Sequence, residues 1–223
     1  MYITRMSAWA PGIENQNEWD EWASGRRSIS AEIKAPELKF TDSNFRRRLS
    51  LISKMTIQVV HDLLPLPENT KILFASFRGE LGREYQLFKM LSEEGEISPA
   101  AFSLSGFNTP VALASIAFGL KGGYSALYPA HNSFVNCIAA AQAALASGTA
   151  DELVLMYADE HIPPECKSFF KKCPEAAAFG FILSKNETGS SIPLSSLNAQ
   201  EKTDPLDYLK QLLSASAPWR EPL

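Results

Sequence analysis

Apolar and polar residues alternate along Tyr2–Trp9, and Pro11-Gly12 follows, which predicts a strand stopped by a turn. Three later stretches are apolar almost without a break: Lys71–Phe77 (KILFASF), Glu152–Ala158 (ELVLMYA) and Ala176–Ser184 (AAAFGFILS). Short runs of this kind predict strands buried on both faces of a sheet. A shorter strand is expected at Tyr124–Tyr128 and an edge strand at Ile192–Leu197. Between them the period changes. Phe45, Leu49, Ile52, Met55, Val59 and Val60 recur at helical spacing behind the capping residues Asp42 and Ser43, predicting one long helix over Asn44–Leu64 that Pro65 and Pro67 end. Asn17–Ser24 predicts a short helix with Trp19 and Trp22 on one side, and further helices are expected at Glu84–Glu94, Val111–Phe118, Phe134–Ala146 and Pro205–Ala215. Gly25–Thr41 and Asp159–Glu175 read as loops, the second with a helical turn near Ser168–Lys171.

Strands alternating with helices predict an α/β fold: one mixed, mostly parallel sheet with helices on its faces. No linker divides the sequence, so a single domain over residues 1–215 is expected, with a flexible tail at 216–223.

Composition narrows the function classes. At 223 residues, 45% hydrophobic and 21% charged, the chain can bury a sizeable core. A net charge of −4 argues against general nucleic-acid binding. Three cysteines without a CxxC form no disulfide framework and point to a reducing compartment. The N-terminus lacks the apolar run of a signal peptide, and no stretch approaches the roughly 20 apolar residues of a membrane span. A cytoplasmic protein is therefore expected.

Candidate chemistry gathers around Gly119–Ala150, where a strand runs through a tight turn (Pro129–Ser133) into an Ala-rich helix. Such a turn lifts one side chain clear of a sheet beside the backbone N–H groups of a helix N-terminus, a frequent seat for a nucleophile. The side chains on offer are Ala130, His131, Asn132 and Ser133. His131 reads as a general base, a hydrogen-bonding plug or a turn residue, and Ser133 as an N-cap rather than a nucleophile. Cys137 lies within the helix and reads as a packing residue. Asp159, Glu160, His161, Glu165 and Cys166 are close in sequence but match no zinc spacing, so no metal is expected. Gly79 and Gly82 after a strand lack the third glycine or the Gly-Lys-Ser/Thr of a phosphate loop, Glu80 would repel phosphate, and no cofactor is expected. Arg46, Arg47 and Arg48 form a charge run that reads as a solvated face or as a docking patch for an acidic partner.

The stretch SPAAFSLSGFNTPVALASIAFGLKGGYSALYPAHNSF, with the helix and strand ending AALASGTADELVLMYADE, resembles the β-ketoacyl synthases of the thiolase superfamily. The family order is a Ser-Pro segment, a small-residue helix and a Gly-Leu-x-Gly turn, here Gly119-Leu120-Lys121-Gly122. A strand, the nucleophile turn and an Ala-rich helix follow, ending in Gly-x-Ala-Asp, here Gly148-Thr149-Ala150-Asp151. The resemblance implies half of a thiolase-like fold. It also implies that His131 stands where the family has its nucleophilic Cys, and that the half carrying the family's other catalytic residues lies beyond this sequence. An imidazole there cannot form the acyl thioester that condensation uses.

The pattern is similar to chain length factors, subunits that pair with a complete ketosynthase, as in aryl polyene and related polyketide or fatty-acid-type clusters. Such a resemblance implies a heterodimer or heterotetramer with a full-length β-ketoacyl synthase, formed through the strand Tyr124, Ser125, Ala126, Leu127, Tyr128. It implies that Ala101, Phe102, Phe107, Asn108 and Pro110 face the partner's acyl tunnel. Two rivals stand beside it: a stand-alone acyl-thioester enzyme using His131 with Ser133, and a scaffold that binds acyl carrier protein through Arg46, Arg47 and Arg48 or through Arg26 and Arg27.

Overall fold

The structure is a computed structural model and describes residues 1–129, 133–170, 175–197 and 204–215. Six strands form one sheet: β1 (Tyr2–Trp9), β2 (Lys71–Ala75), β3 (Tyr124–Leu127), β4 (Glu152–Asp159), β5 (Ala177–Ser184) and β6 (Ile192–Pro193). Their spatial order is β3-β2-β4-β5-β1-β6. β2 runs parallel to both β3 and β4, whereas β5 is antiparallel to β4 and β1, and β6 is antiparallel to β1. The mixed sheet matches the expectation from sequence. Strands β1 to β4 share a direction, and the antiparallel pairings come from β5 and β6.

Eight helices accompany the sheet among the described residues: α1 (Gln16–Ala23), α2 (Ser43–Arg46), α3 (Leu51–Asp62), α4 (Leu81–Glu94), α5 (Pro99–Ser103), α6 (Thr109–Ala117), α7 (Val135–Ala146) and α8 (Pro205–Ser214). Strand alternation divides the core into two layers. Leu73, Ala75, Leu153, Leu155, Tyr157, Phe179 and Phe181 pack with Trp19 and Trp22 of α1, Cys137, Ile138 and Ala141 of α7, and Tyr208, Leu209 and Leu212 of α8. Ile72, Phe74, Val154, Met156, Ala158 and Ile182 meet Ile52, Met55, Val59 and Val60 of α3, and Val111 and Ala114 of α6. α3 crosses close to the sheet because Gly180 has no side chain. A Cβ there would stand 3.2 Å from Val59 Cγ1 and 3.3 Å from Leu63 Cδ1.

Three predicted elements differ. The helical turn expected near Ser168–Lys171 is a 3-10 helix at Pro164–Phe169, which starts where Pro163 and Pro164 fix the backbone. The long helix over Asn44–Leu64 is two helices, α2 and α3, broken at Arg47–Ser50. Ser50 is extended, and its side chain accepts a hydrogen bond from Ser53 N, so it caps a new helix inside an unbroken apolar period. The edge strand at Ile192–Leu197 shortens to Ile192–Pro193, because Pro193 offers no N–H and the chain then turns through Leu194–Ser196.

Candidate functional site

Two features meet at the β3 end of the sheet: an apolar surface and a buried set of carboxylates beneath it. Among the described residues, β3 has a strand neighbour on one side only. Tyr124 and Tyr128 are exposed, and Ser125, Ala126 and Leu127 are half-buried. Next to β3 stands α6, preceded in the chain by α5, and the Ser98 cap and the Pro99 and Pro110 starts fix the entry angles of the two helices. Phe102 on α5 is 63% exposed and Ile116 on α6 is 72% exposed. They border a groove of about 420 Å³ that Leu104, Asn108, Thr109 and Leu113 also line. Ala101 and Phe107 are half-buried, Asn108 is exposed, and Pro110 is buried in the first turn of α6. The structure thus brings Phe102, Asn108 and the β3 residues to one surface, with Pro110 inside.

Phe107 rests on the turn after β2. Gly79 there has φ +56, and a Cβ on it would stand 2.6 Å from Phe107 Cδ2. Both demands select glycine. Asp159, fully buried at the end of β4, shapes this turn. Its carboxylate accepts from Ser76 Oγ at 2.7 Å, Tyr157 Oη at 2.8 Å, the N–H groups of Phe77 and Arg78 at 3.1 Å, and Arg78 Nη1 at 3.2 Å. Ser76 Oγ in turn accepts from Gly79 N at 2.7 Å. Burial pushes the Asp159 carboxyl above its ordinary value, while these donors and the Arg78 charge pull the other way.

A pair of buried acids, Glu80 and Glu160, lies on the other face. Glu80 is fully buried, and Glu160 is nearly so. Glu80 Oε1 accepts from Ser50 Oγ and Ser53 Oγ, both at 2.7 Å, and Arg83 Nε stands 3.3 Å from its carboxylate. Glu160 accepts from Ile52 N at 3.2 Å and from the Gly82 amide. Burial first, and the Glu80 charge second, push Glu160 up to about 7; burial raises Glu80 as well. Neither residue figures among the sequence-derived site residues.

The remaining candidates fall as follows. His131 lies outside the described residues, as do Ala130 and Asn132. Ser133 is buried, and its hydroxyl has no hydrogen-bond partner among the described residues. It does not cap α7, whose start carries no side-chain cap; its carbonyl accepts from Asn136 N instead. Burial pushes the Cys137 thiol up to about 12, in keeping with a packing role. The acids and His after β4 form no metal cluster among the described residues. The strand period explains this, because Asp159 follows Tyr157 to one face and Glu160 follows Ala158 to the other.

The three arginines also divide. Arg46 is half-buried and donates to the carbonyls of Leu38 and Thr41, holding the loop before α2. Arg47 and Arg48 are exposed. Arg46, Arg47, Ser43 and Lys54 share a groove of about 370 Å³. Arg27, another cation in this half, is tied to Glu18 and Glu21.

The sequence profile of the β-ketoacyl synthase N-terminal domain matches residues 19–219. The chain belongs to this family. No curated protein matches it. Among solved structures, a chain of the complex described as a ketosynthase (ApeO) with its chain length factor (ApeC) from Xenorhabdus doucetiae superposes with a TM-score of 0.72 at 24% identity, covering 82% of this chain and 78% of that one. The ishigamide ketosynthase/chain length factor gives 0.67 at 12% identity, covering 84% and 63%. A type II polyketide acyl-carrier protein complex with its ketosynthase gives 0.59 at 16%, covering 82% and 62%. At these identities the superpositions establish the fold, a ketosynthase-like α/β domain. This chain spans under two thirds of the latter two chains. No helix among the described residues is long and apolar enough to cross a membrane.

Proposed function

We propose that this ketosynthase-family chain is a non-catalytic, chain-length-factor-like subunit. It pairs with a complete β-ketoacyl synthase, stabilises it and shapes its acyl tunnel in polyketide or fatty-acid-type biosynthesis, with aryl polyene assembly as the setting. The observation that carries the proposal is the apolar end of the sheet. A strand with one open edge sits beside exposed Phe102, Ile116, Tyr124 and Tyr128, and a second protein would remove that surface from water. Heteromeric neighbours support it: two of the similar structures are described as pairing a ketosynthase with a chain length factor. In the 24%-identical match both chains are covered to a similar extent, so the two are of similar length.

In this assembly β3 meets the partner's equivalent strand. The α5–α6 segment, with Ala101, Phe102, Phe107 and Asn108, closes part of the partner's tunnel. Bulk there limits acyl growth by steric contact. His131 fills the nucleophile position without forming a thioester. The test is co-expression with a complete ketosynthase, read by size-exclusion chromatography with light scattering. A stable hetero-oligomer is expected, with aggregation or self-association of the chain alone. A well-behaved monomer that binds no ketosynthase overturns the proposal, as does turnover of acyl thioesters by the chain alone that disappears in His131→Ala.

A further inference from the structure

Glu80 and Glu160 are acids that the pairing function does not use, and they sit where three elements join. Glu80 leads into α4 and is held by Ser50 and Ser53 of the α3 start. Glu160 follows β4 directly and accepts from Ile52 of α3 and from Gly82 in the first turn of α4. A Cβ on Gly82 would stand 2.9 Å from Glu160 Oε1, so the carboxylate lies close against the start of α4 and a side chain there would push it aside. α4 buries only Leu87 along its length, and Phe88 is 70% exposed. Its first turn is thus held to the body chiefly by polar contacts to these two acids rather than by a packed apolar face. Gly79, the residue before Glu80, carries the ring of Phe107.

The charges around the pair do not balance. The turn gives Glu80, the end of β4 gives Glu160, and α4 gives Arg83 and Glu84. The nearby Arg78 is engaged by Asp159, and His161, the next residue after Glu160, is held towards its neutral form by burial and by Lys167. From α3 come two hydroxyls and an amide. One guanidinium, 3.3 Å from Glu80, therefore faces two buried carboxylates, and Glu80 Oε2 has no hydrogen-bond partner within the described residues. A shared proton relieves the repulsion.

We propose that Glu80 and Glu160 act as a proton-dependent latch that positions the Gly79–Phe107 contact and the start of α4, so that the wall this chain presents to its partner loosens when the pair becomes doubly charged. The role of that wall rests on the pairing function proposed above; the latch itself does not. Two buried like charges separate or admit water, and the first elements free to move are the turn at Gly79–Gly82 and the weakly packed α4. Glu80 and Glu160 are positioning residues on this account, acting through Phe107.

The test is hydrogen–deuterium exchange on the full chain, alone or bound to a ketosynthase, at pH 6 and pH 8 after correction for intrinsic exchange. Protection over residues 79–84 and 105–109 should fall about tenfold between the two, the change expected for a carboxyl held near 7 when closed and near 4.5 when open. Glu160→Gln should abolish that pH dependence while leaving protection in β4 and β5 unchanged. Glu80→Gln, which removes the other charge, should diminish it without abolishing it, because Glu160 stays buried, and serves if the first variant fails to fold. A wild-type chain whose protection in these segments shows no pH dependence, a Glu160→Gln chain that retains it, or a Glu80→Gln chain in which it is undiminished overturns the latch. Because exchange is read on the chain itself, failure of the latch and failure to bind a ketosynthase are separate results.

Discussion

Asn108 Nδ2 donates to Tyr124 Oη at 3.0 Å, joining the start of α6 to the open edge of β3. The segment expected to wall the tunnel and the strand expected to pair are therefore mechanically linked. Tyr124 is exposed, so Tyr124→Asp should change the stability of the chain by less than about 1 kcal/mol. At a paired strand edge the same charge should weaken the ketosynthase complex at least tenfold, about 1.4 kcal/mol. Thermal melting of the chain and titration calorimetry with the partner separate the two effects.

Changing bulk beside the tunnel should change product length. Phe107→Ala should shift the partner's products towards longer chains, and Ala101→Phe towards shorter ones. Mass spectrometry of the products from the reconstituted complex reads this directly. An unchanged distribution in both variants would leave stabilisation of the partner as the remaining role.

Arg47 and Arg48 are exposed, whereas Arg46 is committed to the carbonyls of Leu38 and Thr41. If carrier protein docks here, Arg47→Ala with Arg48→Ala should weaken it, and the loss should shrink as salt rises. Binding to the ketosynthase should not change. Arg46→Ala should instead destabilise the chain by about 1 kcal/mol, since it takes the guanidinium from the Thr41 carbonyl, while the Leu38 carbonyl keeps the Thr41 N–H and hydroxyl as donors. Surface plasmon resonance over a salt series and urea unfolding distinguish these outcomes.

Asp159→Asn keeps the size of the side chain but removes the charge facing Arg78, whose side chain is mostly buried. Leaving that guanidinium without its counter-ion should cost about 3–5 kcal/mol. Urea unfolding at neutral pH measures it, and a loss below about 1 kcal/mol would show that water has reached Arg78.

Glu160 also sets a pH dependence of stability. Its carboxyl is raised from 4.5 to about 7 in the folded chain, so the folded state favours the proton. The neutral acid is fully in place below about pH 4.5. Its contribution is lost as pH rises through 7, by up to about 3 kcal/mol. Unfolding free energy should therefore fall between pH 5 and pH 8 in the wild type and fall less in Glu160→Gln.

Three of the strands were legible because burial on both faces leaves a continuous apolar run, and β2, β4 and β5 lie where those runs are; β1 was legible from its alternation. The break before α3 was hidden because Leu49 and Ile52 keep the helical period on either side of Ser50; only the cap geometry reveals it. Glu80 and Glu160 were hidden for another reason. Glu80 reads as a turn acid that would repel phosphate and Glu160 as one of a polar cluster after a strand, while the groups that bury them lie far away in sequence: Ser50 and Ser53 for Glu80, Ile52 for Glu160. Asp159 was visible as a polar residue after a strand, but its role as an acceptor for Ser76, Tyr157 and the turn at Arg78 depends on β2 lying beside β4.

The two ends of the sheet are unlike. At the far end β6 pairs with β1 through only two residues, one of them Pro193, and beyond it Ala8, Trp9 and Ala10 face the segment Lys34–Phe40 across a shared cavity. That margin offers little backbone for another strand to add to. At the β3 margin four residues remain available. If a partner strand docks at β3 as proposed, the short, proline-bearing β6 at the opposite margin disfavours a second addition there, so a closed pair is expected rather than a fibre.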